Sequence, residues 1–235
     1  MRGCLGVLVL AAAFVAAAAW FGGPPVAGSL VEGAIVASGF ESRTRTVVVL
    51  TDPPVEVVGG HADRIAIGAD DASFEDIRAQ RLDVTLFDVD LLRSTFGRID
   101  GRLTGATMIA ADGTTTAVES IGIIGPPSDV VVTVRVDGTV VDQLARGAVV
   151  RETGLAVDSV ALEPPATIAF LAGPVRMDGL LAVDATGALT VALPLPGDPI
   201  VDVLAPGGSL ALTAVSVDAG DLVLIGRVDL EPYLR

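Results

Sequence analysis

The chain is poor in the side chains that most catalytic chemistry needs. Its 235 residues include one cysteine, one histidine and no lysine, so all 15 basic residues are arginine. With Cys4 alone, no intramolecular disulfide can form. One Cys and one His also cannot build a zinc cluster. His61 lies in the turn-like segment Gly59-Gly60-His61-Ala62-Asp63 and reads as a solvated loop residue. A nucleophile paired with a histidine base is therefore not expected. There is no Gly-x-Ser-x-Gly elbow and no glycine-rich phosphate loop between a strand and a helix.

Carboxylates remain: Asp70-Asp71, Glu152, and Asp88 with Asp90. Residues two apart share one face of a regular strand, so Asp88 and Asp90 are a candidate pair. Such a pair can serve glycoside hydrolysis or calcium. Asp88-Val89-Asp90-Leu91, however, lacks the further oxygen ligands and glycine spacing of a calcium loop. These groups read as solvent-facing charges at a strand end. No enzyme, metal or cofactor is expected.

Aromatic residues are also scarce: seven Phe, one Tyr and one Trp. Any core or cavity must then be mostly aliphatic. The 29 acidic residues give a net charge of −14. That balance argues against nucleic-acid backbones and against a polybasic grip on anionic lipid. It also keeps a chain rich in Val, Leu and Ala soluble.

What the chain does have is an uncharged start. Gly3 to Val31 carries no charged side chain, and Cys4 to Phe21 is almost wholly apolar behind Arg2. As a helix that run would rise roughly 27 Å, close to the ~30 Å hydrocarbon core. Residues 1–21 are read as a signal peptide or an N-terminal membrane anchor; the length favours an anchor, and Ala17-Ala18-Ala19 fits a cleavage site. Cys4 precedes the run, which excludes lipoprotein-type attachment. Residues 22–29 form a linker and residues 30–235 a single β-rich domain.

Within that domain the spacing predicts a helix over Leu30–Phe40 and a strand over Thr44–Leu50 broken by Pro53-Pro54. Short strands are expected at Ala62–Ala69 and Ser73–Gln80. Leu82, Val84 and Leu86 alternate, then the phase moves to Phe87, Val89 and Leu91, which predicts a bulge. Val130–Val136 alternates clearly. Thr139–Glu152 reads as a helix with Val140, Leu144 and Ala148 on its apolar side and Gly154 as its cap. Strands follow at Ala156–Leu162, Val175–Val183 and Leu189–Leu195, then a helical turn at Pro199–Leu204, then a hairpin of Leu210–Val217 with Leu222–Leu230. Several strands are apolar on both faces. Burial by helices or a second sheet would explain this, and so would a sheet lining a lipid-sized groove; periodicity leaves both open. The fold class is α+β and β-rich: a curved antiparallel sheet with a few helices, the enclosure of an apolar groove being one of these two open readings.

Three segments carry a family resemblance: Gly59–Ala69 (GGHADRIAIGA), Arg81–Leu92 (RLDVTLFDVDLL) and Gly208–Leu230. On these, the chain resembles the actinobacterial LmeA-type phospholipid-binding proteins, and the absence of lysine agrees with a GC-rich source. The resemblance implies an exported cell-envelope protein on the periplasmic side of the plasma membrane, anchored or secreted. It implies phospholipid as partner and a role in envelope glycolipid or lipomannan assembly. The lipid-binding candidates placed on this frame are Phe87, Val89, Leu91, Leu92, Arg93, Phe96 and Arg98, with Arg93 and Arg98 holding a phosphate at the mouth of a groove. The competing reading is a non-enzymatic structural or interaction domain displayed outside the membrane.

Overall fold

The computed structural model describes residues 28–29, 31–32, 40–74, 77–109, 115–195, 199–204 and 211–233. The expected signal or anchor, nearly all of the linker and most of the Leu30–Phe40 helix lie outside the described residues. Among the described residues no helix is long and apolar enough to cross a membrane.

Two antiparallel sheets and one long helix make up the fold. The first six strands are β1 Thr44–Leu50, β2 His61–Phe74, β3 Ile77–Asp90, β4 Arg98–Ile109, β5 Thr115–Gly125 and β6 Val130–Val136. They pair in sequence order as a meander, and a 3-10 turn, Pro54–Gly59, joins β1 to β2. Helix α1, Gly138–Thr153, follows. A small sheet then forms from β7 Ser159–Glu163, β8 Thr167–Ala172, β9 Val175–Val183, β10 Leu189–Ala192 and β11 Ile200–Leu204. The hairpin of β12 Ala211–Asp218 and β13 Asp221–Val228 returns to the large sheet, where β13 pairs with β6.

Local chemistry explains the helix. Asp137 accepts from the Thr139 N–H at 2.7 Å and satisfies one of the free donors of the first turn. Gly154 ends it in the left-handed conformation, φ 69°, which a residue without Cβ adopts freely. Val141, Ala145, Ala148 and Val149 are buried, an i, i+4, i+7, i+8 stripe. The stripe is turned one residue from the expected one; Val140 and Leu144 are its half-buried margin. It packs in one core with Val130, Val132, Val134 and Val136 of β6 and with Ile168, Phe170 and Val191 of the small sheet.

The long strands depart from the sequence reading in an instructive way. The expected Ser73–Gln80 strand straddles the β2–β3 connection, and β2 runs on through Asp70 and Asp71. The phase shift at Phe87 is not a bulge. Pairing of β3 with β2 and with β4 keeps one register throughout. Instead Asp88 alone is left-handed, φ 51°, so Leu86 and Val89, three apart, pack into the same apolar cluster. Asp71 (φ 50°) and Gly105 (φ 57°) repeat the device on β2 and β4. Both lie opposite Gln80, whose side chain occupies the space that a Cβ at Gly105 would need. Pro199–Leu204 is not a helical turn. It supplies β11, because Val201 is buried against β10 and pairs with Val191.

Candidate functional site

The carboxylates and the histidine do not converge. His61 opens β2 and lies 3.4 Å from the Asp63 carboxylate, both half-exposed. The kink at Asp88 separates it from Asp90 in role: Asp90 Oδ1 accepts from the Leu92 and Arg93 N–H groups, each at 3.0 Å, and closes the β3–β4 turn. Asp70 accepts from Thr44 Oγ1 at 2.6 Å and from Arg81 at 3.2 Å. These contacts, the hydroxyl first and then the charges of Arg81 and Arg43, hold its carboxyl below the ordinary value of 3.8. Asp71 pairs with Arg43 and Glu152 with Arg151. Among the described residues no group of three or more His, Cys, Asp or Glu could hold a metal ion.

The outer face of the large sheet carries paired charges beside exposed Val48, Leu50 and Ile124. Arg81 forks onto Asp83 at 2.7 and 2.8 Å and reaches Asp70. Arg135 bridges Asp218 and Asp221. On the small sheet Arg176 joins Asp178 and Glu163. These hydrogen bonds, more than the charges, raise the three guanidinium pKa values above the ordinary arginine value. A depression of about 320 Å³ lies over β1–β3 beside Thr44, Thr46, Gly68, Asp70, Arg81 and Asp83. Its ionic groups are already mutually paired, and Val48, Ala66, Ile67, Ala69 and Val84 are also part of its lining.

The inner face is aliphatic. Strand registers stack Val47, Ile67, Val84, Gly101 and Ile123 in one row across β1–β5. The row on one side holds Val49, Ile65, Leu86 and Ile99. The row on the other holds Arg45, Ala69, Leu82, Leu103 and Ile121. α1 and the small sheet meet the large sheet chiefly at β12 and β13. Along these rows Val49, Ile65, Ala69, Ile99 and Ile121 are buried, while Val47, Ile67, Leu82, Val84, Leu86 and Leu103 are half-buried, with Val84, Leu86 and Leu103 packing against the main core.

Arg45 stands at the β1 margin of this face. Its side chain is 15% exposed, and its Nε and Nη1 are buried with no hydrogen-bond partner among the described residues. The Glu32 carboxylate lies 3.7 Å from Nε, and the Phe40 ring centre 5.9 Å from the guanidinium carbon. Sequence reasoning missed Arg45. Its signal was the alternation of Thr44–Leu50, which puts Arg45 in phase with Val47 and Val49.

The seven candidates all lie at the β3–β4 end of the large sheet, but they point in different directions. Val89 is buried in a small cluster with Val49, Val57, Ala62 and Ile65, and Leu91 and Phe96 pack against it. Phe87 is half-buried, with the Arg98 guanidinium 5.4 Å from its ring centre; Arg98 also approaches Asp100 at 3.5 Å. Leu92 is 80% exposed. Arg93 is largely exposed and 3.6 Å from Asp90. The two arginines thus take separate carboxylate partners.

Comparison with known proteins finds no matching family model, no similar curated protein and no similar solved structure.

Proposed function

We propose that the chain is a non-enzymatic phospholipid-binding module of the cell envelope. One observation carries the reading: a row of half-buried aliphatic side chains with a buried, hydrogen-bond-deficient guanidinium, Arg45, at its margin. An acyl chain on Val47, Ile67, Val84 and Leu103 would be held at about 0.8 kcal/mol per buried CH₂. A phosphate beside Arg45 would supply the acceptors that Nε and Nη1 lack. This moves the headgroup contact away from Arg93 and Arg98. The uncharged N-terminal run supports an envelope location, and the resemblance to LmeA-type proteins supports service in envelope glycolipid or lipomannan assembly.

The test is native mass spectrometry of the full-length protein in detergent, with organic extraction of the same sample. Near-stoichiometric phospholipid is expected. A lipid-free chain that takes none from phospholipid vesicles would overturn the reading and leave a displayed interaction domain.

A further inference from the structure

Buried polar groups of folded proteins are nearly always paired. Among the described residues the buried side-chain atoms without a hydrogen-bond partner are Arg45 Nε, Arg45 Nη1 and Ser42 Oγ. All three belong to the short stretch 42–45 at the entry to β1. Orphaned donors gathered at one place suit a ligand rich in acceptor oxygens. The guanidiniums in neighbouring positions are already engaged: Arg43 by Asp71, and Arg81 by Asp70 and Asp83.

Glu32 sets the charge pattern around that place. Its carboxylate lies 3.7 Å from Arg45 Nε, beyond hydrogen-bond distance, so it offsets the charge without supplying the missing acceptor. The two charges differ in depth: the Arg45 side chain is 15% exposed and that of Glu32 52%. The Phe40 ring, 5.9 Å from the guanidinium carbon, backs the cation. Val47, the next residue of β1 on the same face, is roughly 7 Å along the strand from Arg45. It opens the aliphatic row with Ile67 and Val84. The buried cation thus adjoins the aliphatic row, and the carboxylate beside it reaches solvent. A zwitterionic phospholipid carries matching parts in the same order: acyl chain, phosphate, ammonium.

We infer that the site selects a zwitterionic headgroup, with the phosphate on Arg45 and the ammonium of a phosphatidylethanolamine on Glu32. The inference rests on the proposed lipid-binding function and deepens it by naming the headgroup class. Arg45 and Glu32 together are neutral. A phosphodiester that carries an ammonium keeps the site neutral, whereas an anionic headgroup leaves a net negative charge beside Glu32. A primary ammonium also donates hydrogen bonds to that carboxylate. The net charge of −14 on the whole chain acts in the same direction, against an anionic ligand.

The experiment is native mass spectrometry of the full chain in detergent micelles that contain equal amounts of dioleoyl phosphatidylethanolamine and dioleoyl phosphatidylglycerol. The ratio of the two lipids in one-to-one complexes is compared between the parent, Glu32→Gln and Glu32→Arg. Lipid held by the N-terminal run is common to all three proteins and cancels in the comparison. The parent is expected to favour phosphatidylethanolamine. Glu32→Gln should lower the ratio roughly two- to fivefold, the worth of one partly exposed ion pair. Glu32→Arg should turn the preference to phosphatidylglycerol. Coincident melting curves of the three proteins would exclude unfolding as the cause. A parent that prefers phosphatidylglycerol, or one ratio shared by all three proteins, would overturn the headgroup assignment and leave lipid binding standing. A parent that binds neither lipid would overturn the binding module and this inference with it.

Discussion

Asp184 illustrates how single residues set the response of this fold to acid. Its Oδ1 accepts from the Thr186 N–H and hydroxyl and from the Ala188 N–H, at 2.7 to 2.9 Å. The Thr186 hydroxyl first, then the backbone donors, hold its carboxyl below the ordinary 3.8. Asp137 is lowered in the same way by Thr139. A folded-state pKa below the unfolded one contributes stability that is complete above the unfolded value and is lost as pH falls through the folded one. The melting temperature should therefore fall from about pH 4 downward. Asp184→Asn keeps an oxygen acceptor and cannot titrate. It should leave the neutral-pH melting temperature nearly unchanged and flatten its fall in acid, measured by circular dichroism across that range.

Arg45 makes the opposite case. A buried donor without a partner is a cost, and an apolar replacement of similar shape removes it. Arg45→Met should unfold at an equal or higher denaturant concentration than the parent. In the same preparation the amount of extracted phospholipid should fall. A clear loss of stability would show instead that the pairing with Glu32 is structurally important. That the position was legible, yet overlooked, reflects how alternation was read: an arginine among β-branched residues looks like the wet face of a strand until its phase is counted.

At the scale of elements, two glycines of α1 separate close packing from mere tolerance. A Cβ on Gly138 would fall 2.5 Å from the Gly220 carbonyl oxygen, where the helix start meets the β12–β13 turn. Gly147 is exposed in mid-helix with nothing within 4 Å of that position. Gly147→Ala should stabilise by roughly 0.5–1 kcal/mol through helix propensity. Gly138→Ala should destabilise by about 1–3 kcal/mol, since backbone must move to admit it. Chemical denaturation of the two variants side by side checks both signs. Strands with one covered face were readable from their alternation, as β6 and β13 show. β8 was not, because Ile168, Ala169 and Phe170 are consecutive and all buried, which erases any period of two. β4 and β5 escaped because Gly, Thr and Arg interrupt them. The left-handed Asp71 and Gly105 were beyond pattern reading, and Asp88 showed only as a phase shift that reads as a bulge: each exchanges the faces of a strand without altering its partners.

For the whole molecule, the property that matters is that part of the aliphatic face is only half-buried among the described residues. A ligand that binds the folded state and not the unfolded one raises stability by mass action. Detergent-stripped protein should therefore melt several degrees lower than protein purified with its lipid, and adding phospholipid should restore the difference. Identical melting curves by scanning calorimetry would count against an occupied inner face. Sequence periodicity could say that strand faces were apolar, but it could not say which side was uncovered. That depends on α1 and the small sheet lying over β12 and β13, a matter of three-dimensional packing between segments distant in the chain.

The pairing of β13 with β6 bears on the order in which the molecule can assemble. β1 to β6 are neighbours in sequence and can zip together hairpin by hairpin. The core beneath α1 is different, because Leu212, Val217, Leu222 and Leu224 belong to it and arrive last. Until they do, β6 presents a bare edge and α1 has no complete floor. Completing the sheet then requires closure over about ninety residues of intervening chain, the separation of Val132 from Gly226. A chain cut before Ala211 would keep its meander and lose the strand pair that completes the sheet.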